Sequence, residues 1–277
     1  MPDDIAPALE TVTVNGLRIR IRKGGTCAGT PLFLTAPYPE SVRAFDAIWP
    51  ALEALGPLVA VDLPGFGRSE FDERLMSPSA MGAFLPMLLD ELGLDRVHAI
   101  VPDIGTLAAL FAAARHPERF ESIVAGSGGT AMALLGEPLR QIVASSPEDF
   151  AGIDGGEQVV ELIRTSTRVP IADAVLEDYR QSSSGSRWNE AAAFVRAYAQ
   201  DLPRLEVLLG SVATPVLVIS GSDDPFVPPS NGAFLQKHLP RGVHRIVESG
   251  HFVWEDAAER YATLITEWVQ GGYRAAV

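Results

Sequence analysis

Cysteine is almost missing from this sequence, since Cys27 is the only one among 277 residues. A single thiol excludes an intramolecular disulfide and any metal cluster built from several cysteines. Long apolar runs are missing as well, and acidic residues rather than an apolar stretch follow Met1. Neither a membrane span nor a signal peptide is therefore expected. These absences favour a cytoplasmic protein.

Positively charged residues are also few. Lysine and arginine number 22 against 35 aspartates and glutamates, which gives a formal net charge of -13. Long-range repulsion would oppose association with nucleic acid or with an anionic membrane surface, so we expect neither as a partner. The histidines lack the spacing of a metal site, and no cofactor is expected. We expect a small, neutral, largely apolar substrate and either a monomer or a homodimer.

Short apolar runs alternate with helical patterns along most of the chain. Two alternating segments meet at Asn15-Gly16, a pair typical of the type I′ turn of a β-hairpin. Further apolar runs lie at residues 31–34, 58–61, 97–101, 122–125, 215–219 and 244–247. This alternation predicts an α/β fold with a mostly parallel central sheet, an antiparallel N-terminal hairpin and helices on both faces.

The regular alternation is interrupted between Ala125 and Pro215, where the patterns are helical only. We predict that residues 1–127 and 211–277 form the core domain and that residues 128–210 form a helical cap inserted in it. A cap in this position would lie above the carboxyl ends of the strands, where open α/β folds bind their ligands. It would shield a pocket from water.

Asp103 stands between a buried-strand pattern and an alanine-rich helical pattern, which is the context of a nucleophile elbow. A serine at this position would form an acyl-enzyme with an ester. A carboxylate attacks saturated carbon instead, so it opens an epoxide or displaces a halide and forms an alkyl-enzyme ester. A helix-capping aspartate is the simpler alternative. The residues that follow along the chain favour catalysis.

A candidate acid and a candidate histidine follow Asp103, each after a predicted strand. Asp224 lies in a Gly-Ser-Asp-Asp-Pro segment, and His251 lies in a Ser-Gly-His-Phe segment. His251 can activate water, and Asp224 can hold its tautomer and stabilise its imidazolium form. Asp223 is an alternative acid, which the Gly-X-X-Asp-Pro pattern disfavours.

Over nearly its whole length the sequence resembles the α/β-hydrolase family. The resemblance is carried by residues 62–69 (Asp-Leu-Pro-Gly-Phe-Gly-Arg-Ser), by the segment around Asp103 and by residues 249–252. Within that family, Asp103 makes the chain similar to the epoxide hydrolase and haloalkane dehalogenase branch. The resemblance implies that Asp103 is the nucleophile, His251 the general base and Asp224 its charge partner.

Residues 36–39 depart from the family pattern, because Ala-Pro-Tyr-Pro replaces His-Gly-X-Pro. The resemblance places the oxyanion hole at the backbone N–H groups of Tyr38 and Ile104, so the changed side chains need not remove it. Ile104 also departs from the dehalogenases, in which a halide-binding tryptophan, or an arginine in the fluoroacetate enzymes, occupies this position. That departure favours an epoxide hydrolase.

An epoxide hydrolase needs an acid over the ring oxygen, and in this family it is usually a cap tyrosine. Tyr179 and Tyr198 are the candidates, and the indole N–H of Trp188 could bind an epoxide oxygen or a halide. The sequence thus predicts conversion of an epoxide to a vicinal diol. A haloalkane dehalogenase is the alternative. A non-catalytic fold used for binding is a further alternative, which the changed residues 36–39 motivate.

Overall fold

An eight-stranded sheet runs through the residues that the computed structural model describes, which are residues 9–275. Its strands are β1 (Leu9–Val14), β2 (Leu17–Gly24), β3 (Leu32–Thr35), β4 (Leu58–Val61), β5 (Val97–Pro102), β6 (Phe120–Gly126), β7 (Val216–Gly221) and β8 (Gly242–Val247). They lie in the order β1-β2-β4-β3-β5-β6-β7-β8. Strand β2 is antiparallel to both of its neighbours, and every other neighbouring pair is parallel. The predicted sheet is confirmed.

The N-terminal hairpin closes at Asn15 and Gly16, which have φ angles of 49° and 82°. Positive φ at both central residues is the requirement of a type I′ turn, whose twist matches that of the flanking strands. Val14 pairs with Leu17 on either side of the turn. The turn therefore sets the register of β1 against β2.

Helices cover both faces of the sheet. They are α1 (Trp49–Glu53), α2 (Pro78–Glu91), α3 (Ile104–Ala113), α4 (Glu137–Ala144), α5 (Gly155–Ser166), α6 (Asp173–Ser183), α7 (Arg187–Arg196), α8 (Tyr198–Leu209), α9 (Ser230–His238), α10 (Val253–Asp256) and α11 (Ala258–Val269). Helices α2, α3 and α8 contribute to the apolar core on one face, and α1, α10 and α11 contribute to the core on the other. The central strands are buried on both sides, which explains their continuous apolar runs.

Helices α4 to α8 all lie between β6 and β7, in the segment for which the sequence predicts a cap. A buried ion pair joins this segment to the sheet, because the guanidinium of Arg20 in β2 donates to Asp178 in α6 at 2.8 and 2.9 Å. Helix α8 packs against α2 and α3. The division into a core and a cap at residues 127/128 and 210/211 stays a prediction.

The carboxyl ends of parallel strands lead to the residues of interest. Tyr38 follows β3, Asp103 follows β5, Asp224 follows β7 and His251 follows β8. Parallel strands end at the same edge of a sheet, so side chains that are far apart in sequence meet there.

Candidate active site

Asp103 occupies a sharp turn between β5 and α3. Its φ and ψ angles are 52° and -120°, a conformation that costs a residue with a Cβ about 1–3 kcal/mol. The Asp103 backbone N–H donates to the Gly126 carbonyl at 2.8 Å. Helix α3 packs closely at this point, since a Cβ added to Gly105 would lie 2.0 Å from Thr35 Oγ1. The surrounding strands therefore hold Asp103 in a strained turn.

Asp103, Asp224 and His251 are brought together at the edge of the sheet. His251 Nδ1 lies 2.7 Å from Asp224 Oδ2, and His251 Nε2 lies 3.8 Å from Asp103 Oδ1. The other oxygen of Asp224 accepts the backbone N–H groups of Phe226 and Val227, at 2.8 and 2.9 Å. Asp224 is thus held by two backbone donors, and it orients the imidazole in turn.

Backbone donors surround the Asp103 carboxylate. The Tyr38 N–H donates to Asp103 Oδ2 at 2.8 Å, and the Ile104 N–H lies close enough to the carboxylate to favour its charged form. These are the two N–H groups that the sequence predicts for an oxyanion hole. The altered residues 36–39 leave the Tyr38 N–H in position.

Burial and nearby charges set the ionisation of the site. Burial raises the pKa of Asp103 to about 6, although the His251 ring and the Tyr38 and Ile104 N–H groups favour the charged form. Burial lowers the pKa of His251, but the charge and hydrogen bond of Asp224, together with the Asp103 charge, outweigh it and leave that pKa raised. At neutral pH the site therefore combines an ionised carboxylate with an imidazole that readily accepts a proton.

A cavity of about 50 Å³ lies at Asp103 and His251, which is room for a few water molecules. Most of its wall is apolar or aromatic and comes from Tyr38, Pro39, Leu139, Ile142, Leu162, Trp188, Val195, Tyr198, Phe226, Val227 and Phe252. Apart from Asp103 and His251, none of these lining residues, all within the described range, carries a formal charge at neutral pH.

The three aromatic residues predicted as substrate contacts occupy different places. Trp188 and Tyr198 line the cavity with Asp103. Tyr198 is buried, and its hydroxyl forms no hydrogen bond with any residue in the range 9–275. Tyr179 lies elsewhere, because its hydroxyl donates to Glu255 Oε1 at 2.7 Å. Burial raises the pKa of both tyrosines well above the ordinary value, so both hydroxyls stay protonated.

Two contacts at the site were not anticipated from the sequence. Ser127, which follows β6 with a φ of 51°, donates its hydroxyl to the His251 carbonyl at 3.1 Å. Tyr38 contributes its ring as well as its N–H, with the ring centroid 5.5 Å from that of Trp188. Ser127 could have been predicted as a residue of the site, because it is a polar residue directly after a parallel strand and the carboxyl ends of these strands meet at one edge of the sheet.

Metal binding has no candidate in the described chain. Within residues 9–275, no group of three or more His, Cys, Asp or Glu side chains is arranged to hold a metal ion. The same part of the chain contains no helix that is long and apolar enough to cross a membrane. Cys27 is exposed.

A family model described as the alpha/beta hydrolase fold matches residues 38–258. The chain belongs to this family. The match covers Asp103, Asp224 and His251. The chain is therefore a hydrolase of the α/β fold, and its substrate is the remaining question.

Relatives of this α/β hydrolase have different activities. A pimeloyl-[acyl-carrier protein] methyl ester esterase of Neisseria meningitidis is 28% identical over 92% of this chain and 99% of the relative. A haloalkane dehalogenase of Psychrobacter cryohalolentis is 25% identical over 93% of this chain and 89% of the relative. The crystal structure of Cfl2 from Burkholderia cenocepacia superposes with a TM-score of 0.83 at 23% identity, over 94% of this chain and 95% of that one. The last likeness shows the fold alone.

Proposed function

We propose that this α/β hydrolase converts an epoxide to a vicinal diol through an ester formed on Asp103. The observation that carries the proposal is a carboxylate in the strained elbow, 3.8 Å from His251 Nε2 and bound by the Tyr38 N–H at 2.8 Å. A carboxylate that attacks saturated carbon forms an ester, which activated water can hydrolyse. Attack on an ester carbonyl would instead give an anhydride, so the methyl ester hydrolysis named for one relative fits this site less well.

The two oxygens of Asp103 have different roles in this reaction. Oδ2 accepts the Tyr38 N–H, so it lies in the oxyanion hole and becomes the carbonyl oxygen of the ester. Oδ1 is then the oxygen that attacks the ring carbon. The same N–H stabilises the negative charge that develops on Oδ2 when water later attacks the ester.

Opening the epoxide leaves an alkoxide that needs a proton, and Tyr198 is the donor that fits. It lines the cavity beside Asp103, and its hydroxyl has no hydrogen-bond partner among residues 9–275. Burial and the Asp103 charge raise its pKa, so the hydroxyl carries its proton at neutral pH. The Tyr179 hydroxyl is already bound to Glu255.

Hydrolysis of the ester uses His251 as the base. The 3.8 Å between Nε2 and Asp103 Oδ1 is too long for a hydrogen bond, and a water bound to Nε2 can reach the Asp103 carboxyl carbon. Ester formation removes the Asp103 charge, which is one cause of the raised pKa of His251. The ring is therefore more readily neutral in the step that requires a base. Asp224 stabilises the imidazolium that results.

The cavity wall favours a small, uncharged and largely apolar epoxide. A charged substituent would lose its hydration against Leu139, Ile142 and Phe226 and would find no counter-ion there apart from the reacting groups. The same wall suits an alkyl or aryl group on the ring carbon.

Dehalogenation by the same residues is the second candidate, because a haloalkane dehalogenase is 25% identical over 93% of this chain. A departing halide needs N–H or O–H donors, and Trp188 and Tyr198 line the cavity. The side chain of Ile104, next to the nucleophile, offers no donor. Epoxide opening needs one proton donor and none beside the nucleophile, so it fits this site better than dehalogenation does.

Mass spectrometry of a His251→Gln variant distinguishes the two reactions. Without its base the enzyme should stall at the ester, so styrene oxide should add its whole mass at Asp103, whereas 1-bromobutane would add a butyl group without bromine. An Asp103→Asn/His251→Gln double variant is the control and should gain neither label. A folded His251→Gln protein that gains no label from panels of epoxides and haloalkanes would contradict the proposal and favour a binding role without turnover.

A further inference from the structure

Glu40 and Glu255 form a buried carboxyl pair beside the active site. Their relative exposures are 1% and 8%, and neither forms an ion pair with a residue in the range 9–275. Two ionised carboxylates without a cation would be costly to bury together. The pair therefore requires another source of stabilisation.

The hydrogen bonds around the pair identify that source. Trp254 Nε1 donates to Glu40 Oε2 at 2.8 Å, and the Tyr179 hydroxyl donates to Glu255 Oε1 at 2.7 Å. The two remaining oxygens, Glu40 Oε1 and Glu255 Oε2, are buried and receive no N–H or O–H donor from any described residue. Trp254 precedes Glu255 in the chain, so its bond to Glu40 brings the two carboxyl groups together, and each shifts the pKa of the other. Two carboxylates are acceptors only, so this contact needs a proton.

We propose that Glu40 and Glu255 share one proton and that the singly protonated pair positions two segments, residues 36–40, which contain Tyr38, and residues 249–252, which contain His251. Glu40 directly follows Pro39 of the loop that supplies the Tyr38 N–H. The pairing itself can be tested without any substrate, whereas the positioning role rests on the proposed function.

Three parts of the molecule meet at this pair. Glu40 lies after β3, and Glu255 lies in α10, shortly after His251. Trp254, the donor to Glu40, has its ring centroid 6.2 Å from that of His251. Tyr179 extends the contacts to α6, in the segment between β6 and β7. Loss of the shared proton would therefore disturb both the loop that contains Tyr38 and the segment that contains His251.

The other charged groups that face the pair are acidic. Asp103 faces Glu40, and Asp46 and Asp256 face Glu255. Burial raises the pKa of both glutamates, and their interaction raises that of Glu40 further while it opposes the rise at Glu255. Asp46 is paired with two arginines, and Asp256 accepts two backbone N–H groups. Both neighbours therefore have donors of their own outside the pair.

The direction of the pH dependence follows from these shifts. Both glutamates have folded pKa values above their ordinary value of 4.5. The stability that the protonated pair contributes is therefore complete below that value and is lost as the pH rises through the folded pKa. At higher pH two buried carboxylates repel each other.

Thermal unfolding of a Glu40→Gln variant tests the shared proton. The Gln amide can donate to Glu255 and accept from Trp254, so it replaces the proton without titrating. Between about pH 5 and about pH 9 the wild type should lose about 4 °C or more of Tm relative to this variant. Glu259→Gln, which removes an exposed carboxyl from α11, is the matched control and should follow the wild type. Parallel curves for all three proteins would overturn the pairing.

Infrared spectroscopy provides a second measurement without substrate. The wild type should show the carbonyl band of a buried protonated carboxyl group at neutral pH, and Glu40→Gln should lack it. The positioning role is then tested with styrene oxide in a His251→Gln background. Ester formation should fall about tenfold or more at alkaline pH, because small displacements of reacting groups are costly, and Glu40→Gln should remove this loss. Retention of the loss in Glu40→Gln would reject the positioning role even where the pairing stands.

Discussion

His251 Nδ1 lies 2.7 Å from Asp224 Oδ2, and both side chains are buried. The bond turns Nε2 toward Asp103, whose Oδ1 is 3.8 Å away. This geometry assigns the two steps of the proposed reaction to different residues. Ester formation depends on Asp103 and a proton donor, whereas ester hydrolysis depends on His251 and Asp224.

Replacement of Asp224 should therefore separate the steps. In Asp224→Asn the amide can stabilise the wrong imidazole tautomer, so ester hydrolysis should slow by about 10³–10⁴-fold. Ester formation should change much less, and rapid-quench mass spectrometry with styrene oxide should detect an accumulating ester. The control is Asp223→Asn, because Asp223 is exposed and forms an ion pair with Arg168. Similar losses in both variants would contradict the assignment of Asp224.

The pH dependence of kcat/KM should report the ionisation of Asp103. Burial raises its pKa to about 6, and only the carboxylate can attack carbon. Below pH 6 the value should fall about tenfold per pH unit, and above pH 6 it should approach a plateau. A rate that stays constant down to about pH 4, near the ordinary aspartate pKa, would show that the nucleophile is not the buried Asp103.

The same shift predicts an effect on stability. The folded pKa of Asp103, about 6, lies above its ordinary value of 3.8. Its favourable contribution is therefore complete below pH 3.8 and is lost as the pH rises through 6. Asp103→Asn should be more stable than the wild type at pH 7, by about 2–3 kcal/mol, and the difference should shrink in acid. Urea unfolding of both proteins at pH 7 and near pH 3.8 measures this difference. If Asp103→Asn were no more stable than the wild type at pH 7, the buried carboxylate would not be destabilising.

Tyr198→Phe tests the proton donor. Removing the hydroxyl should slow epoxide opening by about 10²–10⁴-fold, since that is the usual contribution of a positioned acid. Single-turnover ester formation with styrene oxide in a His251→Gln background provides the measurement. Tyr261→Phe is the matched control, because its buried hydroxyl has no hydrogen-bond partner among the described residues and lies outside the cavity. A loss in Tyr261→Phe as large as that in Tyr198→Phe would contradict the assignment of Tyr198.

Local signals were sufficient to predict the sheet and the positions that follow its strands. The strand of residues 97–102, the turn at Asp103 and the next helix form one continuous pattern, and its geometry depends on neighbours in sequence. Asp224 and His251 were predictable for a related reason. Parallel strands bring their carboxyl ends to one edge, so residues in those loops meet regardless of their separation.

Helical residues above the sheet were not predictable in the same way. Tyr179 and Tyr198 both lie in helical patterns, and the packing of α6, α7 and α8 decides which of the two residues lines the cavity. The partner of Tyr179 is Glu255, 76 residues away, and Glu40 contacts Trp254 across 214 residues. No local pattern records such contacts, because they depend on how the segment between β6 and β7 folds back onto the sheet.

Arg20 carries the link between that segment and the sheet. Its guanidinium is buried and binds both Asp62 and Asp178 of α6. Arg20→Ala would leave two buried carboxylates without their cation, and we expect a loss of about 3–5 kcal/mol in the free energy of unfolding. Arg18→Ala removes an exposed partner of Glu70 from the same strand and should cost less than about 1 kcal/mol. The two ion pairs differ in burial. If urea unfolding showed similar losses for Arg20→Ala and Arg18→Ala, the buried pair would not stabilise the fold more than the exposed one.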